Sequence, residues 1–323
     1  MTRPPRPDGH RVRAVPLRSV SALALILVSI AGLAMFTWPL LLTPEPGQGH
    51  AGDAPMVLFG VFPALLIVAL AQVADGSLDA KAVAMLGVLS AIGAALRPLG
   101  AGVAGVETVF FLLILAGRVY GAGFGFIVGS TTLFASALLT GGVGPWLPYQ
   151  MLVSAWVGMG AGLLPRRFTG RAEITMLAAY GVVSAYAFGI LLNLSSWPFV
   201  LGVAVPGHTG LAFVPGDPLS ENLHRFLVYT LITSTGSFDT GRAITNAVAI
   251  VVLGPAVLAT LRRAARRVVI TGAVENMLPD GPGAPSVGAD HERDPGPAQS
   301  EQREEVVMST PHPGLRNEAG SQI

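Results

Sequence analysis

Eight side chains in this sequence have the types and spacing to hold a small molecule: Arg97, Glu107, Trp146, Tyr149, Gln150, Asp239, Arg242 and Asn246. Two guanidiniums and two carboxylates supply charge, two amides supply donors and acceptors, and two aromatic rings supply apolar walls with a polar edge. Aromatic rims with a few convergent polar groups suit a small-molecule pocket. Each residue also has a blander use. Trp146 and Tyr149 fit an aromatic belt at a membrane interface, and Asp239 with Arg242 fits a local i,i+3 ion pair. Acid–base chemistry would rest on Glu107 or Asp239, and each stands alone in sequence, whereas such chemistry usually takes several carboxylates or a metal on one face. The chain has no cysteine, which removes thiolate nucleophiles, disulfides and cysteine-ligated zinc. His50, His208 and His224 are isolated in sequence, and the one lysine, Lys81, follows no glycine-rich phosphate loop. No catalytic residue, cofactor, metal site or nucleic-acid partner is expected.

The elements that position these groups must form in lipid. Hydrophobic residues make up 51% of the chain and charged ones 12%, with a mean hydropathy of +0.60, where a soluble domain carries roughly 25% charge. A helix needs about 20 apolar residues to cross the hydrocarbon core. Suitable stretches run from Ser19 to Leu42, Pro55 to Ala74, Ala82 to Leu96, Val106 to Gly117, Gly123 to Thr140, Gln150 to Leu164, Ile174 to Leu194 and Thr245 to Leu261. The expected fold is an all-α, multi-pass membrane protein of about eight transmembrane helices. The run from Val106 to Thr140 is nearly unbroken, but Arg118 followed by Gly121, Gly123 and Gly125 marks a tight hairpin.

Charge position sets the orientation. Arg3, Arg6, Arg11, Arg13 and Arg18 precede the first span, whose apolar core is too long for a signal peptide and is followed by no clear cleavage site. The positive-inside rule places these arginines in the cytoplasm, with Arg118, the Arg166–Arg171 cluster and Arg262 to Arg267. Strict alternation of the spans then agrees with the rule: the loops at 43–54, 98–105, 141–149 and 195–240 fall outside and hold few basic residues. Both termini are expected in the cytoplasm. The external connection at 195–240 is longer than a hairpin needs, which marks it as functional; within it Asn222 to Thr235 fits a surface helix or half-span, capped by Ser220 or Asn222. After about Thr271 the composition is that of a disordered tail.

Every ionisable residue near a span maps to its end, and no Asp, Glu, Lys or His sits at mid-membrane. A proton- or sodium-coupled carrier normally needs such a group or a broken helix at the midplane, so coupling energy for transport would come from elsewhere. Small residues spaced by four recur at Gly117, Gly121, Gly125 and Gly129, at Gly158 and Gly162, and at Gly87, Ala91 and Ala95. Such ridges let backbones approach closely, either inside the bundle or against a partner membrane protein.

The stretch Gly-Arg-Val-Tyr-Gly-Ala-Gly-Phe-Gly-Phe-Ile-Val-Gly at 117–129, Gly-Gly-Val-Gly-Pro-Trp-Leu-Pro-Tyr-Gln-Met at 141–151, Ser237-Phe-Asp-Thr-Gly-Arg-Ala-Ile-Thr-Asn246 and Gly254-Pro255 resembles the substrate-specific S components of energy-coupling factor (ECF) importers. The likeness covers roughly Lys81 to Arg267. It implies a six-helix core that captures a vitamin on the outer side and works with a transmembrane coupling protein and two cytoplasmic ATPases. The coupling contact of that family is a small-xxx-small motif on the first core helix, where Ala91-x-x-x-Ala95 stands, with Gly87 one turn earlier. The Gly-Pro-Trp-x-Pro-x-Gln pattern is most similar to cobalamin-type members. Two departures stand out: Ser19 to Ala74 adds two helices, and Glu107 replaces an expected neutral residue.

The layout read from the sequence is therefore a basic N-terminus (1–18), two additional N-terminal transmembrane helices (19–80), a substrate-binding core (81–267) and a tail (268–323). The competing functions are an intramembrane enzyme acting on a lipid-linked substrate and a stand-alone secondary transporter.

Overall fold

The computed structural model describes residues 18–41, 64, 67–68, 71–72, 78, 80–100, 105–144, 146–197, 210–214 and 216–275. Among these residues the chain is helical with no strand. The helices are α1 (Ser19–Leu41), α2 (Ala80–Gly100), α3 (Phe110–Tyr120), α4 (Ala122–Thr140), α5 (Leu147–Leu163), α6 (Arg171–Ser196), α7 (Leu219–Thr230) and α8 (Thr240–Glu275), with π-helical turns over Leu231–Asp239 joining α7 to α8. Most of the second expected span, Pro55 to Ala74, lies outside the described residues; Ala64, Ile67, Val68, Ala71 and Gln72 are helical.

Among the described residues, five helical runs are long and apolar enough to cross a membrane: Ser19–Thr37, Ala80–Gly100, Ala122–Thr140, Arg171–Ser196 and Leu219–Arg266. Their outward faces carry Leu, Ile and Val in the open, among them Leu23, Leu27, Ile92, Val183, Val248 and Val252, an apolar surface of the kind that lipid covers. Two expected spans are shorter than that. The 11-residue α3 reaches only about 16 Å at 1.5 Å per residue, half of a hydrocarbon core of roughly 30 Å. Every one of its residues is buried, so α3 is a central strut wrapped by its neighbours. Residues 106–108, expected to be helical, are not helical and lead into it. The 17-residue α5 is the other short one.

The hairpin expected after Arg118 is a break of a single residue. Gly121, at φ 105°, occupies the half of backbone space that side chains disfavour, and it ends α3 and begins α4 at once. The reversal is tight: a Cβ on Gly125 would stand 3.0 Å from the Cα of Gly117, residues that a straight helix would hold about 12 Å apart. The four-spaced glycines therefore do not lie along one helix. They are folded in half, and Gly117 and Gly125 both press on the Gly158 carbonyl of α5, while Gly129 presses on the Ser154 carbonyl and Gly162 on the Ala122 nitrogen. This ridge is internal packing among α3, α4 and α5.

The small residues of α2 do the opposite. Gly87, Ala91 and Ala95 are exposed, and nothing lies within 4 Å of where a Gly87 Cβ would be. The other side of α2 joins α4, with Ser90 and Thr131 hydroxyls 2.7 Å apart and Gly93 against Thr132. Helix α1 leans on α5: Gly32 receives Leu152, Phe36 meets the Tyr149 ring edge-on at 5.0 Å, and Trp156 donates to Ser29 at 3.1 Å.

Helix direction alternates from α2 to α6 and again to the continuous rod of α7, π turns and α8, so two polar ends result. At one, Arg118 donates to Glu173 Oε1 at 2.8 Å and to the Leu164 and Phe168 carbonyls, and Arg262 donates to the same carboxylate oxygen at 2.6 Å. The other end carries Arg97 and Arg242. Helix α7 starts at Leu219 after Pro218, with neither Ser220 nor Asn222 acting as a cap. Asn222 instead folds back, accepting from the Val214 N–H at 3.0 Å and donating to the Val214 carbonyl at 2.9 Å. Helix α8 continues past the expected boundary at Thr271 to Glu275, and residues 276–323 lie outside the described residues.

Candidate functional site

The Arg97 and Arg242 end is built around one guanidinium. Arg242, on the first turn of α8, donates through Nη1 to Asp239 Oδ1 at 2.9 Å and to the Ala185 carbonyl at 3.2 Å, and through Nη2 to Glu107 Oε1 at 2.8 Å. Its carbon centre stands 4.6 Å from the Phe188 ring centroid and 5.7 Å from that of Phe110. An arginine shared by two carboxylates and two ring faces is held in geometry by its planar fork and by attraction to the rings.

Local structure explains why these groups meet. Asp239 ends the π-helical turns, and its carboxylate packs on Gly189 of α6, where any side chain would collide with it. Ser234 donates to Asp239 Oδ2 at 2.8 Å and accepts from Asn193 Nδ2 at 2.7 Å. Glu107 arrives from 135 positions away in sequence, and its segment has two seats. Gly105, at φ 77°, lies against the Phe238 backbone, where only a glycine fits; Thr108 donates to the Leu96 carbonyl at 2.5 Å.

Of the eight candidate residues, Glu107, Asp239 and Arg242 thus form one node. Arg97 and Gln150 form a second contact, with Nη2 donating to Oε1 at 3.0 Å, and Thr108, next to Glu107, ties the helix that bears Arg97 to the first node. Asn246 lies one turn below Arg242 on α8 and donates to the Gly181 carbonyl at 3.2 Å. Trp146 sits at the same end, one turn before Gln150, but is 56% exposed and makes its close approach to Gly144. Tyr149 is buried against Phe36 of α1, which is a packing role.

Two buried polar atoms in this region have no hydrogen-bond partner among the described residues: Arg242 Nε and Asn246 Oδ1. One is a donor and the other an acceptor, four positions apart on one face of α8. An unpaired buried polar group costs about 1–3 kcal/mol, and natural folds leave few. Both atoms are closed off from the surface; the group that a ligand could displace is Glu107, the more exposed of the two carboxylates on Arg242.

Sequence reasoning missed Asn193, Ser234, Phe110 and Phe188. Asn193 had a visible signal, since it is an amide near the end of an otherwise apolar span; Ser234 lay in a Thr-Ser-Thr-Gly-Ser run with no distinguishing spacing. Comparison with protein-family models, curated proteins and solved structures yields no match.

Proposed function

We propose that this chain is the substrate-capturing subunit of an ATPase-driven importer of the ECF type, binding a vitamin, with a cobalamin-class compound favoured, at the Arg242 end of the bundle. In this reading the Arg242 end faces out. The end with Arg118, Arg166, Arg167, Arg171 and Arg262 faces the cytoplasm, as the positive-inside rule demands, and the chain sits in the cell membrane with both termini inside. The observation that carries the proposal is the Arg242 node: polar groups concentrated at one mouth of an apolar bundle, with an unpaired donor on Arg242 and an unpaired acceptor on Asn246. Both carboxylates at this mouth are tied to one guanidinium, which suits binding better than proton transfer.

The coupling partner is assigned to α2. Its ridge of Gly87, Ala91 and Ala95 is outward and open, whereas the other glycine ridge is used up inside the bundle. A transmembrane coupling protein, driven by two ATPases, would slide along that ridge.

Two measurements test this. Equilibrium binding of the purified chain to a panel of vitamins without ATP is expected to give one clear ligand; silence across the whole panel rejects the proposal. Ala91→Trp is expected to leave ligand affinity unchanged while stopping ATP-dependent uptake, because bulk on the ridge parts two backbones. Equal loss of affinity and uptake would instead make the ridge a structural element of this chain.

A further inference from the structure

The opposite end of the bundle holds a groove that the proposed function leaves unused. It lies between the first turn of α6 and the middle turns of α8, with a volume of about 600 Å³. Its floor is apolar, from Ile174, Val251, Pro255 and Leu258, and Arg171 and Arg262 stand at its mouth beside Glu173. Pro255 has no N–H to give to the Val251 carbonyl, so the groove runs along the stretch where the backbone ladder of α8 is interrupted.

The charge at the mouth is not balanced among the described residues. Glu173 is the one acid among the described residues that line the groove, and both Arg118 and Arg262 lie on its Oε1. Arg118 is occupied further by two carbonyls, but Arg262 reaches Glu173 through a single terminal nitrogen, and Arg171 adds another positive charge. Arg263 and Arg266 are exposed on the following turn. A basic mouth over an apolar trough complements a molecule with an anionic head and a hydrocarbon tail. Val251 in the trough and Val252 next to it are exposed on the apolar face of α8, so the groove opens where acyl chains lie.

We propose that this groove binds one anionic phospholipid, its phosphate held by Arg171 and Arg262 and an acyl chain laid over Ile174, Pro255 and Leu258. The site needs no orientation of the chain and no transport function; it requires only that the bundle sit in a bilayer.

The test uses the full-length protein in detergent, titrated with phosphatidylglycerol or phosphatidylcholine of matched chains, with bound lipid counted by native mass spectrometry. Phosphatidylglycerol is expected to be retained in preference. Arg171→Gln and Arg262→Gln are each expected to weaken retention roughly fivefold, the effect of one arginine near an anionic surface. Leu258→Trp, which fills the trough and keeps every charge, should abolish the preference, while Arg225→Gln at the other end should not change it. Arg171→Gln removes no hydrogen bond described above, so its result does not depend on folding. Equal retention of the two lipids, or a Leu258→Trp variant that binds as the parent does, overturns the proposal. Displacement of phosphatidylglycerol by glycerol 3-phosphate at the same concentration would show a phosphate site without a lipid groove and also overturn it.

Discussion

Arg242→Leu is expected to destabilise the bundle by about 3–5 kcal/mol, because removing one partner of a buried ion pair strands the other. The stranded group is Asp239, whose side chain is 1% exposed; its other described hydrogen bond is the one accepted from Ser234. Glu107 loses the same partner but keeps more solvent. Chemical denaturation in mixed micelles measures the effect, and the double variant Arg242→Leu with Asp239→Asn separates charge from packing. If the cost is a stranded charge, the double variant recovers most of it, since a neutral amide in that place no longer needs the arginine. A single variant as stable as the parent would mean that the node contributes nothing to folding and exists for binding alone.

The second large effect is at Gly158. A Cβ there would be driven into the Gly125 carbonyl, and Gly117 and Gly125 already rest on Gly158. Overpacking of side chains costs about 1–3 kcal/mol when neighbours can shift rotamers; here the opposing atoms are backbone, so Gly158→Leu is expected to exceed that range and leave no monodisperse protein. Gly87→Leu is the matched control. Its surroundings are open, so its melting temperature in detergent should equal the parent's. Similar behaviour of the two variants would show that α3, α4 and α5 can separate without loss of the fold.

How much of this was readable beforehand depends on the range of each interaction. The ion pair between Asp239 and Arg242 is local, three positions apart on a helix, and the sequence offered it directly. The bounds of α2, α4 and α6 follow from apolar length, and the arginines fall at the ends that alternation demands. What was hidden is long-range or shape-dependent. The approach of Glu107 to Arg242 depends on Gly105 fitting against Phe238, and no periodicity encodes that seat. Residues 106–108 read as span because they continue an apolar run, yet they leave the helix. Tyr149 looked equally suited to a pocket or an interfacial belt, and it packs instead on Phe36 of an added helix. Glu173 was masked by the arginines around it, although a basic cluster next to an apolar span needs a counter-charge somewhere close.

The π-helical turns between α7 and α8 have an angular consequence. In an unbroken α-helix of 3.6 residues per turn, positions sixteen apart point about 160° away from each other. Phe226 and Arg242 are such a pair, yet both meet α6: the Phe226 ring lies tilted, 5.5 Å from that of Trp197 at its end, and Arg242 holds the Ala185 carbonyl along its side. Wider turns advance fewer degrees per residue, and Leu231–Asp239 contributes nine such residues. That lag in azimuth brings an aromatic anchor and a charged one onto the same meridian of a single rod that runs from Leu219 to Glu275.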